Sequence, residues 1–263
     1  GLISVAAAGQ PAVPAQKPID NLPAVPLFEA MDAEELDVKL VHTDESSGNL
    51  FVQNATDKPI NVKMPEAFVG VHVLNQGFFG SGNGNSGFGT SGFGNQSGQG
   101  AGQGQGAQTT GGGVSGNNSQ NPGIFSVPPG RTVRIPVNTV CLEHGRATPS
   151  SRMDYRIFPV ARFSRDPALF ALLTTVARGD VSRDVGQAAA WHLASGKSWK
   201  ELSAMKFRRA GSLPDVPHFR NRELAKAREL VEKIQTIPAR NDGLKAGIAV
   251  TEAAASRRDV SER

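Results

Sequence analysis

RTVRIPVNTVCLEHG, Arg131–Gly145, is the stretch on which the reading of this chain turns. Val133, Ile135 and Val137 alternate with Thr132, Arg134 and Pro136, the period of a strand with one face on a core and the other on solvent. The run continues through Val140-Cys141-Leu142 and breaks at Glu143-His144-Gly145. Similar runs lie on both sides. Upstream, LDVKLVH (Leu36–His42) alternates through Val38, Leu40 and His42, and Leu50-Phe51-Val52 and Ile60–Met64 flank the turn residues NATDKP. AFVGVHVL follows, with Pro65 in front of it, and downstream MDYRIFPVARF supplies Tyr155, Ile157 and Phe163. Short alternating runs punctuated by turn residues predict an antiparallel β-sandwich of Ig-like size over 31–163.

After Ser164 the period becomes helical. SRDPALFALLTTVARG offers Ser164 or Asp166 as a cap, Pro167 in the first turn and Gly179 as a stop. DVSRDVGQAAAWHLASG ends at Gly196, and SWKELSAM opens with Ser198 and Glu201 at capping-box spacing. NRELAKARELVEKIQ is amphipathic, with Leu224, Ala227, Val231 and Ile234 on one side. Strands followed by helices predict an α+β chain in which a helical module, 164–238, docks on the sandwich, with 239–263 as a flexible tail.

Two stretches lack such periodicity. Residues 1–30 read as an Ala/Pro-rich tether, and Ala6-Ala7-Ala8 before Gly9-Gln10 suits the end of a secretory signal, so export to the periplasm, cell surface or medium is expected. Residues 77–123 hold 18 of the chain's 30 glycines, separated by Asn, Gln and Ser. A segment of that composition cannot bury enough apolar area to offset its chain entropy, so a disordered insert is expected. Phe78, Phe79, Phe88 and Phe93 are its sparse apolar stickers and the candidates for self-association.

The net charge of +4 is modest, and no Asp, Glu, Lys or Arg occurs from Ala67 to Gly130. Without a basic stripe, nucleic acid is not an expected partner. No apolar run reaches the roughly 20 residues of a membrane span. The single cysteine excludes an internal disulfide framework.

Cys141 admits three readings. As a metal ligand it would join His144, three residues on, with His72 as an upstream ligand. A copper site of the two-His, one-Cys kind would then need an axial Met, and Met153 is nine residues past His144; zinc would lack an obvious second half-site. As a reactive thiol it would pair with Gln187, whose side-chain amide can lose ammonia to form an internal thioester, with Trp191 on the same helix face to shield the bond. As a structural residue it would be a small apolar group at a strand end. No orienting Asn or Asp for a Cys-His nucleophile is identifiable, and no cofactor is expected.

Two resemblances bear on these readings. Cys141 together with Gln187-x-x-x-Trp191 resembles the Cys and the Gln-x-x-x-Trp segment of the thioester domains of Gram-positive surface adhesins, although Gly186 stands where their motif has Thr. Taken in order, ATDKPINVKMPEAFVGVHVL (Ala55–Leu74), the Gly-rich insert, VNTVCLEHGRATP (Val137–Pro149) and QAAAWHLASGKSWKEL (Gln187–Leu202) resemble secreted or envelope-associated bacterial proteins with a variable Gly-rich loop, of a planctomycete-like kind. That resemblance spans Leu36–Met205 and implies export and a shared fold. The resulting expectation is a non-enzymatic structural or interaction protein of the cell envelope or surface, contacting itself or other envelope proteins. The thioester and the copper or zinc site are its alternatives.

Overall fold

The computed structural model describes residues 12–73, 109–114, 123–207, 209, 213–236, 245, 247–249 and 252. Phe78, Phe79, Phe88 and Phe93 lie outside them. In chain order the elements begin with β1 (Val13–Pro14), β2 (Ala24–Pro26), α1 (Leu27–Asp32), β3 (Leu36–His42), β4 (Ser47–Asn54), β5 (Ile60–Lys63) and β6 (Phe68–His72). Then come β7 (Thr110–Val114), β8 (Ile124–Val127), β9 (Thr132–Cys141) and β10 (Tyr155–Pro159). The helices α2 (Pro167–Arg178), α3 (Arg183–Ser195) and α4 (Trp199–Ala204), a short ribbon of β11 (Lys206–Phe207) and β12 (Val216–Pro217), and α5 (Asn221–Thr236) complete the chain.

The chain is α+β, but its β part is a closed antiparallel barrel of six strands and not an Ig-like sandwich. The ring runs β9–β4–β3–β10–β6–β7 and returns to β9. Two features account for the correction. Strand β9 is ten residues long and pairs along Thr132–Asn138 with β4 and along Val137–Cys141 with β7, so one strand holds both ends of the sheet. The second partner, TGGGV, comes from within the stretch whose composition predicts disorder. Without β7, the edges of β6 and the end of β9 would be open. With it, they join.

Alternation does its expected work in the barrel wall. Leu36, Val38 and Leu40 of β3, Leu50 and Val52 of β4, and Val133, Ile135 and Val137 of β9 all belong to one buried cluster, while Asp37 and Lys39 face solvent. A side sheet, β2–β5–β8, adds Val62, Phe125 and Val127 to the same core. The expected tether is not loose over its described part. Val13 pairs with Val133 in parallel, Ala24–Pro26 pair with Asn61–Lys63, and the Asn61 side chain bonds the Ile19 N–H at 2.9 Å and the Ile19 and Leu22 carbonyls at 2.8 Å each.

A second buried cluster lies between the outer wall and the helices, where Ala67, Val69, Val140 and Leu142 meet Leu169, Leu172, Leu173 and Val176 of α2 and Ala188–Trp191 of α3. The helix signals hold. Asp166 accepts from the Ala168 N–H at 2.8 Å, Gly179 closes α2 at φ +76°, and Ser198 and Glu201 form the capping box of α4. The glycines of β7 let α2 approach: a Cβ at Gly111 would stand 2.6 Å from the Leu173 side chain, and one at Gly113 2.8 Å from Ala177 Cβ. Among the described residues no helix is long and apolar enough to cross a membrane.

Candidate functional site

The sequence-singled residues converge at one end of the barrel, where β9 outruns β4. Ser47 of β4 is opposite Asn138, and the Ser46 carbonyl takes the Thr139 N–H at 2.8 Å. Beyond that point the β4-side edge of β9 has no strand partner, and a buried side chain from α3 replaces it. Gln187 Oε1 accepts from the Cys141 N–H at 2.9 Å, and Gln187 Nε2 donates to the Cys141 carbonyl at 2.8 Å. One turn of ladder is completed by an amide side chain, leaving neither backbone group of Cys141 unsatisfied.

Cys141 and Gln187 therefore meet, and the contact runs between the Gln187 side-chain amide and the Cys141 main chain. The thiol lies 3.9 Å from the Glu45 carbonyl oxygen. Burial pushes it up to about 12, the Glu45 carboxylate adds to the rise, and Arg183 opposes it. At neutral pH it is a thiol rather than a thiolate, and only the thiolate is an effective nucleophile or metal ligand. Both ends of the Gln187 amide are meanwhile held by main chain. Trp191, one turn along, packs edge-on against His144 with ring centroids 4.7 Å apart and also faces His218 at 5.3 Å and Phe219 at 5.7 Å.

The metal candidates are parted by the wall. Cys141 is opposite Thr110, whose hydroxyl meets His42 inside the barrel. His144 lies past the strand end, with its N–H bonded to Ser195 Oγ at 3.0 Å and its ring on Trp191. His72 sits on β6 against Tyr155, at 5.5 Å. Met153 packs against the barrel-core cluster. Among the described residues no group of three or more His, Cys, Asp or Glu is placed to hold a metal ion. Burial, then Lys197, lowers the His144 pKa; burial lowers that of His218 against the pull of Glu45 and Asp184.

Two further features mark this end. Inside it, fully buried His42 meets Thr110 Oγ1 through Nε2 at 3.2 Å and sets its ring 4.6 Å from Tyr155. Burial lowers its pKa to about 4, although Asp44 and the backbone of Asp44 and Ser47 favour the proton. The inward phase of LDVKLVH was the available signal. The other feature is the anchoring of 74–108. Val73 N–H donates to the Asp154 carbonyl at 2.8 Å, and Thr109 gives its N–H (2.9 Å) and hydroxyl (2.6 Å) to Glu143 Oε2. No local pattern marks Glu143, because its partner lies 34 residues away.

No protein-family model, curated protein or solved structure matches this chain.

Proposed function

We propose that this chain is a non-enzymatic interaction protein of the cell envelope or surface, in which the barrel is a rigid mount for the uncharged Gly/Asn/Gln/Phe segment 74–108. The observation that carries the reading is the way the two ends of that segment are held. They leave from and return to adjacent, hydrogen-bonded strands of the ring, with Phe68 opposite Gly112 and Gly70 opposite Thr110, and each end is secured by a further bond to Asp154 or Glu143. Fixing both ends of a long segment on one edge of a barrel limits how far that segment can reach. Sparse phenylalanines among Gly, Asn, Gln and Ser are a composition that suits weak multivalent self-contact.

The test is removal of Gly77–Gly106, which spares β7 and both anchors. Sedimentation velocity across a concentration series should show association in the full chain and a monomer in the deletion, with circular dichroism unchanged. Replacing Phe78, Phe79, Phe88 and Phe93 together by Ser should have the same effect. Association that persists in both would defeat the proposal.

A further inference from the structure

Five large hydrophobic residues are exposed among the described residues, and three of them fall close together in the chain, on the β11–β12 ribbon and the connection between its strands: Phe207 at 50%, Leu213 at 55% and Val216 at 38%. Phe207 is directly opposite Val216 across the β11–β12 ribbon, so the two side chains share a face. The ribbon is firmly seated. The Phe207 ring rests on His218 with centroids 4.0 Å apart, the His218 N–H donates to the Met205 carbonyl at 2.9 Å, and neighbouring Phe219 is buried in the helical core.

Charge singles out the same place. From Lys200 to Arg222 the sequence has six Lys or Arg against two Asp or Glu, an excess equal to the whole chain's net +4. Lys206, Arg209, Arg220 and Arg222 are exposed. Outside this segment the chain is balanced.

From this coincidence we infer that the β11–β12 ribbon is a docking surface for an anionic phospholipid bilayer, with Leu213 and Val216 entering the interface and the surrounding cations facing the headgroups. A few apolar anchors among cations hold a protein at a charged bilayer, because apolar burial and electrostatic attraction add. A stable protein partner would need about 800 Å² on each side, more than three side chains provide. Nucleic acid is disfavoured because Phe207 already spends one ring face on His218, and Leu and Val offer no stacking surface.

Co-sedimentation of the full chain with vesicles tests the inference, using phosphatidylcholine alone and phosphatidylcholine mixed with phosphatidylglycerol. Binding should require phosphatidylglycerol and weaken with added salt. K206E/R209E should cut it roughly 20-fold or more, at about fivefold per surface cation lost. L213S/V216S should cut it about tenfold, with melting temperatures of both variants unchanged. The chain lacking Gly77–Gly106 should bind as the full chain does, which separates this surface from the proposed association segment. Equal pelleting with phosphatidylcholine alone, no pelleting with either vesicle, indifference to both double variants, or full displacement from vesicles by excess duplex DNA would each overturn it.

Discussion

Gln187 does for Cys141 what a seventh strand would do, and that role differs from the chemistry its position first suggests. Replacing it by Leu keeps the volume near Trp191 but leaves a buried N–H and C=O without partners, a loss of about 2–4 kcal/mol. Cys141→Ala removes only a small apolar group and should cost about 1 kcal/mol. Urea denaturation should rank them in that order; equal and large losses would restore a special role for the thiol. His42 gives the pH dependence. Its folded pKa, about 4, lies below its unfolded value, so the proton is bound more tightly by the unfolded chain. The penalty is absent above the unfolded pKa and grows as pH falls from about 6.5 towards 4. Stability at pH 5 should be about 2 kcal/mol below that at pH 7, and His42→Asn should flatten the difference. The sequence brought Cys141 and Gln187 together but could not say by which atoms. A side-chain amide pairing with backbone leaves no periodic trace.

At the scale of elements, the strands that show themselves in the sequence are those with side chains to alternate. β3 and β9 are legible from Leu36 to His42 and from Val133 to Val137. β7 is not, because Gly111, Gly112 and Gly113 carry no pattern, and their composition argues for the opposite state. What they supply is room, and room is visible only once α2 lies across them. Gly111→Ala should press on Leu173, costing about 1–3 kcal/mol by overpacking, and Leu173→Ala should recover part of that loss when the two are combined. Thermal melts of the two single variants and the double variant would show it; strictly additive losses would mean that the strand and helix do not compete for the same space. The helices were easier to read, since caps such as Asp166 and Ser198 are local chemistry.

At the scale of the molecule, the difference between sandwich and barrel rests on five residues, and two deletions separate the architectures. Removing Gly77–Gly106 leaves the ring intact. Removing Gly77–Asn121 takes β7 with it and exposes the edges of β6 and the end of β9. The first chain should melt as the full chain does; the second should lose its cooperative transition, as followed by circular dichroism and calorimetry. A cooperative melt of the longer deletion would show that β7 is dispensable. Closure was the least legible property, because it depends on a pairing between distant segments, one of which looks unstructured. The order within 12–30 is hidden for a similar reason: Val13 and Ala24 find partners in β9 and β5 that lie far along the chain.

The ten-residue span of β9 also has a meaning in time. It grips β4 at one end and β7 at the other, and both precede it in the chain. A polypeptide emerging from the ribosome must therefore carry its earlier strands as an unsealed sheet until β9, and after it β10 between β3 and β6, is out. Assembly so dependent on remote pairing is inherently slow, and the newborn protein passes through an interval in which its adhesive edges are open to strangers.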